Sequence, residues 1–349
     1  LKALDYASRN PVWAKYAKGT WSNVDVSGWS PAGIAIDSQD RIFVVGSAVN
    51  IYNASEWTVM QSIDGGETWA RVDRFSNGSV SNTNNSAHKV FIDNQDNIFV
   101  AGNAGPTYGP FEVVIRKSSD HGATWTTLDD YIHGTDNMNF TAAAIDQDGN
   151  ILYTCEYAVS GGSGLPSVMH TVLRRISANG TKTLLSDTTG ATGTNVATRA
   201  LGSPSSNTFW MFNGISSSSS TNGEIKSTTD QGTNWTTLAS DSGINWSDFV
   251  IRPGFSPYSI GFSTGVGAVL RRFNGSSFVD TIDHGSACRS SIAVTKQNYV
   301  FAGSSCYSQA DKQFHWIVRA EPLWGVNWIA FDDLPAGGYG PLWGIAVDS

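Results

Sequence analysis

One short motif occurs three times in this chain and limits the folds that the chain can adopt. The copies read Ser/Thr-x-Asp-x-Gly-x-x-Trp and comprise Ser62, Asp64, Gly66 and Trp69; Ser118, Asp120, Gly122 and Trp125; and Thr228, Asp230, Gly232 and Trp235. An Asp at this position accepts hydrogen bonds from the N–H groups of a tight turn, and the Gly supplies a positive φ. The Trp begins the next strand and buries a large ring. The motif therefore predicts a β-hairpin in which the Asp is structural rather than catalytic.

Strand-like segments repeat around the motif in groups of four. The first segment is apolar and ends in an acidic turn, as in residues 33–37, 89–93 and 142–146. The second follows a short turn, the third alternates apolar and polar residues, and the fourth begins near the Trp of the motif or of a degenerate copy. This order recurs along the whole chain at intervals typical of propeller blades, and it indicates an all-β fold.

The two ends of the chain supply one further group of strands. Residues 343–349 fit a first strand with nothing after it, while residues 1–6, 12–16 and 20–24 fit second, third and fourth strands. We therefore predict a single domain, a seven-bladed β-propeller of four-stranded antiparallel blades, with the last blade closed by N- and C-terminal strands. The alternatives are a non-closing fragment and a six-bladed ring with a separate tail. Within residues 1–349 the blades are predicted at about 31–75, 86–130, 140–187, 198–241, 247–283, 289–334, and 340–349 together with 1–25.

Composition and cysteine usage limit the partners and cofactors. The formal net charge of -8 argues against nucleic acid and against an acidic membrane surface. No apolar run reaches the length of a transmembrane helix and no Cys/His spacing resembles a zinc site, so we expect no membrane insertion and no cofactor. Cys288 and Cys306 flank two successive predicted strands, and in an antiparallel hairpin they would face each other as a possible disulfide. Cys155 would then be a small buried hydrophobe or a free thiol.

The three motifs resemble the Asp-box, the bacterial neuraminidase repeat of β-propellers in the sialidase-like superfamily. The resemblance covers nearly the whole chain but concerns scaffold residues. In that family the Asp-box hairpins lie on the side away from the ligand. The resemblance therefore implies a ligand face formed by loops between second and third strands and between blades.

Aromatic rings are frequent in the loops of that implied ligand face. Such rings can pack on the C–H surface of a sugar while neighbouring amides bind its hydroxyls. The alternative is that the rings cap the end of the propeller or pack its loops. The candidate ligand-binding aromatic residues are Trp29, Tyr52, Tyr108, Tyr157, Trp246, Tyr307, Tyr339 and Trp343.

Basic residues fall into two groups. His88, Arg199 and Arg289 begin predicted strands close to the propeller axis on the ligand side. Because Arg suits bidentate recognition of carboxylate or sulfate, these three are candidate contacts for an anionic sugar, and pairing with Asp248 or Asp136 is the alternative. Other Arg residues recur at one position of the third strand, which indicates a structural role. They are Arg116, Arg174, Arg271 and Arg319.

The sequence provides no recognisable catalytic site. The Arg-Ile-Pro expected near the N-terminus of a sialidase is absent, and the nearest match, residues 251–253, falls in the fifth predicted blade. A different glycosidase could use two carboxylates across a cleft, but no spacing singles out a pair. The candidates are Asp136, Glu156, Asp248 and Asp311.

Two functional hypotheses follow from this pattern. The first is an extracellular, non-catalytic binding or adhesion module of bacterial type that recognises glycans or another cell-surface ligand, within a longer, oligomeric surface protein. The alternative is a carbohydrate-active enzyme, either a glycoside hydrolase or a polysaccharide lyase, on the same scaffold. No signal peptide is visible at Leu1, so we expect any such segment to be upstream or removed.

Overall fold

The computed structural model describes the backbone over most of the chain. All regular elements in this described part are β-strands, which confirms the all-β prediction. Side chains are described over a smaller set, most of it between residues 30 and 250. The described backbone comprises residues 2–5, 12–17, 20–25, 29–77, 83–160, 167–190, 194–217, 221–250, 257–263, 267–283, 288–294, 300–308, 312–321, 329–336 and 345–346.

The described strands form seven four-stranded antiparallel sheets, each a blade. Blade 7 contains β1 (Lys2–Asp5), β2 (Val12–Ala17) and β3 (Thr20–Asp25) together with the C-terminal β28 (Ile345–Ala346). Blades 1 to 3 contain β4 (Trp29–Ile36), β5 (Ile42–Val49), β6 (Ser55–Ser62) and β7 (Ala70–Phe75); β8 (Ser86–Ile92), β9 (Ile98–Ala104), β10 (Glu112–Ser118) and β11 (Thr126–Tyr131); and β12 (Asn139–Ile145), β13 (Ile151–Val159), β14 (Val168–Ile176) and β15 (Lys182–Thr189). Blades 4 to 6 contain β16 (Thr194–Ser205), β17 (Thr208–Ser217), β18 (Thr221–Thr228) and β19 (Thr236–Ser242); β20 (Ile244–Val250), β21 (Tyr258–Ser263), β22 (Gly267–Phe273) and β23 (Phe278–Asp283); and β24 (Cys288–Val294), β25 (Val300–Ser308), β26 (Gln313–Glu321) and β27 (Ile329–Ala336).

The first strands of the blades form a closed ring around a central channel. They contact one another in chain order, and β28 closes the ring by contacting both β24 of blade 6 and β4 of blade 1. β28 also pairs with β1, with Lys2 opposite Ala346 and Ala3 opposite Ile345. The prediction of a seven-bladed propeller with a last blade built from both termini is therefore confirmed. Closure places each sheet between two others and so covers its apolar faces.

The three motifs fold into the same hairpin between third and fourth strands. In the second copy, Ser118 Oγ donates to Asp120 at 2.8 Å and accepts from the Gly122 N–H at 2.8 Å. Asp120 also accepts from the Thr124 N–H at 2.8 Å, and the Trp125 indole donates to the Gly122 carbonyl at 3.1 Å. Gly122 has a φ of +94°, which residues with a Cβ rarely adopt. Equivalent bonds occur in the other two copies.

The two ends of the sheets differ in their connections. Turns between first and second strands lie at the same end as the motif hairpins, and Asp37, Asp93 and Asp146 each accept two backbone N–H bonds in them. Hairpins of adjacent blades touch, since the Gln61 amide donates to the His121 carbonyl at 2.8 Å. We call this end the hairpin face. The opposite end, where first strands begin and second strands end, is the mouth face.

Arg–Asp pairs and shared apolar cores join neighbouring blades. Blades 2 and 3 share a core that includes Cys155. A third-strand Arg binds a fourth-strand Asp of the preceding blade, as Arg116 does with Asp73 at 2.8 Å and Arg174 with Asp129 at 3.0 Å. Arg271 and Asp241 make the same kind of contact. These pairs agree with the structural role expected of the recurring Arg residues. The fourth of them, Arg319, has a side chain outside the described set.

The cysteines occupy two different environments. Cys288 and Cys306 lie directly opposite each other in the register of β24 and β25, which brings their backbones within the reach of a disulfide. Their side chains are outside the described set, so the disulfide stays a prediction. Cys155 is buried between blades, and burial raises the pKa of its thiol, which makes it an unreactive core residue.

Candidate functional site at the channel mouth

Five first strands carry a β-bulge at one common position near the mouth face. In each of them a single residue has no partner in the second strand, and a bulge of this kind redirects a side chain. Two of these residues are large and polar, His88 in blade 2 and Arg199 in blade 4. Both are exposed although their strands lie innermost, so their side chains open to the channel. The bulged residues are Ala32, His88, Thr141, Arg199 and Ser247.

His88 and Arg199 are both available to a ligand. The His88 ring lies 6.3 Å from that of Phe140 in the next blade, and the surrounding protein lowers the pKa of its imidazole. The imidazole is therefore neutral at pH 7 and can donate or accept one hydrogen bond. Arg199 interacts electrostatically with Glu156 but has no ion-pair partner within 4 Å among the described residues.

Lys89 and Asp248 follow the bulges of blades 2 and 5 and attract each other across the channel. Burial lowers the pKa of Lys89, and the charge of Asp248 opposes that effect. Burial raises the pKa of Asp248, which accepts from the Phe249 N–H at 2.9 Å, from Ser291 Oγ at 2.9 Å and from the Ile292 N–H at 3.2 Å. Asp248 therefore links blade 5 to blade 6, and its carboxylate is occupied by structural hydrogen bonds.

Glu156 is a carboxyl group at the mouth face that makes no hydrogen bond or ion pair in the described part of the chain. It lies near the end of β13, is only 9% exposed, and its Oε1 has no hydrogen-bond partner in the described part of the chain. Burial raises its pKa to about 7, and the charge of Arg199 opposes the rise. A carboxyl group that stays protonated near neutral pH can act as a proton donor.

The position in blade 2 that is equivalent to Glu156 is Asn103. Asn103 makes hydrogen bonds to the next blade, and within the part of the chain that the structure describes Glu156 does not. Both residues pair with the first residue of the first strand in their blade. The Asn103 amide donates to the Met138 carbonyl at 2.6 Å and accepts from the Phe140 N–H at 3.1 Å, and so bridges to the next blade. No such bridge forms at Glu156 among the described residues. A buried carboxyl without a structural role is costly, and this cost marks a functional candidate.

Of the predicted aromatic residues, two are exposed on the mouth face. Tyr52 and Tyr108 lie in loops between second and third strands and are 57% and 92% exposed. Five other predicted ligand-binding residues have no described side chain. They are Trp29, Arg289 and Tyr307, which lie in β4, β24 and β25, and Tyr339 and Trp343, which lie outside the described backbone.

Tyr157 was predicted as a ligand-binding ring, and this prediction is wrong because the ring is buried. Its phenol donates to Asp187 at 2.8 Å. The imidazoles of His133 and His170 each stack on its ring at 4.5 Å. Strand alternation explains the difference, because Glu156 and Tyr157 point to opposite faces of blade 3 and Tyr157 faces blade 2.

Trp246 is also buried, between blades 4 and 5. It packs on Gly223, where an added methyl carbon would lie 1.6 Å from the indole nitrogen. The ring of Phe212 meets it edge-on at 6.5 Å. Trp246 is therefore a core residue whose ring has no face open to a ligand.

Lys89 was not among the predicted site residues. The residue that follows the bulge is small in three blades and charged in the other two, and this position can be recognised only from the pairing of first and second strands. The residues that follow the bulges are Gly33, Lys89, Ala142, Ala200 and Asp248.

Two of the candidate carboxylates are not part of this site. Asp136 binds His133 at 2.9 Å in an exposed loop, and Asp311 lies outside the described residues.

Neither a metal centre nor a membrane span is found in the described part of the chain. Its His, Cys, Asp and Glu side chains form no group of three or more that could hold a metal ion. It also contains no helix with the length and hydropathy needed to cross a membrane.

Comparison with known proteins gives matches at the level of structure. No protein-family model and no curated protein sequence matches the chain. An α-L-arabinofuranosidase from Fusarium graminearum has a TM-score of 0.56 at 10% identity, covering 85% of this chain and 93% of its own. A Hadza microbial sialidase has a TM-score of 0.52 at 13% identity, covering 81% and 67%. An ulvan lyase, a polysaccharide lyase, has a TM-score of 0.50 at 12% identity, covering 78% and 71%.

These matches correct the main functional prediction. The first hypothesis, a non-catalytic binding or adhesion module, is wrong by this comparison, because the similar structures are named as enzymes that act on glycans. Rings and amides on a rigid face suit binders and enzymes equally, so residue types alone did not separate the two. At 10 to 13% identity the shared property is the scaffold. The chain thus shares the β-propeller fold of these enzymes.

Proposed function

We propose that this protein is a glycoside hydrolase that cleaves glycosidic bonds at the mouth of its channel, with Glu156 as proton donor. The observation that carries the proposal is the state of Glu156, which is buried, has a pKa of about 7, and has an oxygen without a partner among the described residues. The names of the similar structures support a reaction on glycans.

The chemistry of Glu156 suits departure of a sugar. Hydrolysis breaks the bond between the anomeric carbon and the leaving oxygen, and that oxygen must receive a proton because an alkoxide is a poor leaving group. Water takes its place on the carbon, and the proton that the water loses restores the acid. At neutral pH the carboxyl group of Glu156 carries that proton. Once the proton has moved, Arg199 stabilises the new carboxylate, because an opposite charge favours the ionised form. Arg199 thereby keeps the pKa of Glu156 in the range where proton transfer is efficient.

The other residues of the mouth face provide contacts to the substrate in this proposal. His88 and Arg199 bind the sugar next to the cleaved bond, since both side chains open to the channel. Arg289 and the exposed Tyr52 and Tyr108 are further candidate contacts. The partner is a glycan, and a carboxylate or sulfate on it would be recognised by Arg199.

Three wider assignments belong to the same proposal. We propose that the chain is a member of the Asp-box propellers, because the three hairpins share the bonds expected of that motif. We propose that residues 1–349 form one domain, in accord with the closed ring of first strands. We also propose that the protein acts outside the cell, where polymeric glycans occur.

The test is incubation of the purified protein with arabinan, ulvan and a sialylated oligosaccharide, the glycans to which the names of similar structures point. A hydrolase releases new reducing ends without a rise in ultraviolet absorbance, whereas a lyase leaves an unsaturated product that absorbs. Glu156→Gln keeps the side-chain size but cannot donate the proton, and we expect it to lose activity. An unsaturated product, no product at all, or a fully active Glu156→Gln variant would contradict the proposal.

A further inference from the structure

Large apolar side chains are exposed mainly on one face of the propeller. Eight such side chains are exposed in the described part of the chain, and six of them lie at the mouth face. A concentration of this kind on the face that holds Glu156 indicates a binding surface, since single exposed apolar residues are otherwise scattered. The six residues are Val49, Ile51, Tyr52, Tyr108, Ile132 and Val159.

Three of these residues lie at the tips of two neighbouring loops, and we call them the rim platform. They are Ile51 and Tyr52 in the loop of blade 1 and Tyr108 in the loop of blade 2. Ile51 is 90% exposed, and both tyrosines present more than half of their surface to solvent. The platform therefore displays apolar surface that the fold itself does not bury.

The loop of blade 1 holds its part of the platform in a fixed conformation. The side-chain oxygen of Asn50 accepts from the Tyr52 N–H at 2.9 Å and from the Ala54 N–H at 3.0 Å. The Asn50 amide donates to Glu56 at 2.8 Å. Asn50 thus closes the turn from inside and leaves the side chains at its tip in solvent. A preformed surface loses little conformational entropy when it binds.

Hydrogen bonds through the connection between the blades tie the two loops together. The Ser55 N–H donates to the Thr83 carbonyl at 3.1 Å, and the Asn84 N–H donates to the Gly105 carbonyl at 2.9 Å. The side chain of Asn85 accepts from the Gly105 N–H at 2.9 Å. The loops of blades 1 and 2 therefore form one continuous, ordered rim.

The chemistry of the rim matches neutral sugar rings. Its acidic residues are already engaged, since Glu56 pairs with Arg74 and Glu112 accepts from Asn77. The exposed Asn53, which follows Tyr52 in the same loop, carries an amide. Aromatic faces pack on sugar C–H surfaces and amides bind hydroxyls, and the tips of the two loops, residues 50–54 and 105–111, contain no charged side chain that would favour a charged partner.

We propose that the rim platform binds sugar residues of a neutral polysaccharide chain away from the bond that is cleaved. This inference rests on the proposed function and deepens it, because it makes the substrate a polymer rather than a small glycoside. The platform should strengthen binding of a polymer more than binding of a small glycoside.

The experiment is electrophoresis in native gels that contain arabinan, galactan or xylan, with the Glu156→Gln variant as the parent protein so that the polymer is not consumed. We expect one gel to retard the parent, and Tyr52→Ala and Tyr108→Ala each to weaken binding by about two- to tenfold, the range for loss of one ring contact. The matched control is Ile63→Ala. Ile63 is 75% exposed, but it lies in a motif hairpin on the opposite face, so its removal should change nothing.

Several outcomes would overturn the inference. The first is that Tyr108→Ala is retarded as strongly as the parent protein. The second is that Ile63→Ala loses as much retardation as the tyrosine variants, and the third is that none of the three gels retards the parent. The alternative is that the platform binds a second copy of this chain. Analytical ultracentrifugation tests it: if the parent is an oligomer and Tyr108→Ala is a monomer, the platform is a protein interface and the inference is wrong. Failure of the proposed function is distinguishable, because retardation needs no catalysis and would persist in a protein that cleaves no glycan.

Discussion

Glu156 and Asp120 are carboxyl groups at opposite ends of neighbouring blades, and their surroundings drive their ionisation in opposite directions. Asp120 is exposed on the hairpin face, where hydrogen bonds from the Thr124 hydroxyl, the Thr124 N–H and Ser118 lower its pKa to about 2. Glu156 is buried at the mouth face, where loss of water raises its pKa to about 7. The hairpin carboxylate is a permanent anion that holds a turn, and the mouth carboxyl is an acid.

The contrast shows that the residues most conspicuous in the sequence are not necessarily the reactive ones. Asp120 belongs to a repeated motif, and every bond that it makes is local. Glu156 belongs to no motif, and its properties come from burial and from Arg199 on another blade. Four experiments test this contrast, beginning with the largest expected effect.

Glu156→Gln should lower kcat/KM on a natural glycan by about 100- to 10,000-fold, the usual contribution of a general acid. On a glycoside with a dinitrophenyl leaving group the loss should be much smaller, because that group leaves without a proton. Steady-state kinetics on both substrates measure the contrast, with Asp120→Asn as the control that retains activity. Equal losses on the two substrates would show that Glu156 does not act as an acid.

Arg199→Met tests the origin of the pKa of Glu156. In the wild type, activity should fall as the pH rises above about 7, because the acid loses its proton. Without the cation the alkaline limb should move to higher pH, while kcat/KM at neutral pH falls by about tenfold, equivalent to about 1.4 kcal/mol. The pH profile of kcat/KM measures both changes. An unmoved alkaline limb would mean that Arg199 does not control this carboxyl group.

Gly122→Ala tests the hairpin end of the comparison and should lower the free energy of unfolding by about 1 to 2 kcal/mol. The cost comes from the backbone, since the φ of +94° is unfavourable for Ala while the added carbon would lie 3.4 Å from Val72, an ordinary contact. Gly134→Ala is the matched control, because its φ of +57° lies in a region that Ala tolerates better. Chemical denaturation measures both variants, and equal losses would contradict the explanation.

The smallest effect concerns the pH dependence of stability, and its sign should differ between the two carboxyl groups. The folded pKa of Asp120 is depressed, so its contribution is present above the ordinary value of 3.8 and disappears as the pH falls towards about 2. The folded pKa of Glu156 is raised, so the wild type loses stability as the pH rises from 4.5 to about 7. Asp120→Asn should therefore melt lower than the wild type at pH 7 but not near pH 2, while Glu156→Gln should melt higher at pH 8. Melting curves across this range that showed one common sign would refute the contrast.

The scaffold could be predicted because its signals are local and repeated. Each motif hairpin is specified by residues within one turn, as the bonds from Ser118 and Thr124 to Asp120 show. The N- and C-terminal strands were recognised because each lacked the partners that the other provides, and β28 does pair with β1. Strand alternation also predicted buried and exposed faces, but it did not show which face belongs to which neighbour.

The site could be predicted only in part. Glu156 was one of four candidate carboxylates, and nothing in its neighbours along the chain separated it from Asp136. Tyr157 and Trp246 seemed equivalent to Tyr108 as rings near loops, yet they lie between blades. The bulges that turn His88 and Arg199 towards the channel arise from pairing with the second strand and have no signature within the first strand alone.

The hairpins, the number of blades and the closure of the ring can be predicted from the sequence alone, because they depend on short-range bonds and on a period repeated along the chain. Which carboxyl group becomes an acid, and which rings reach solvent, depends on the folded molecule. Those properties depend on desolvation and on charges from other blades, and residues such as Glu156 and Arg199 meet only when the ring has closed.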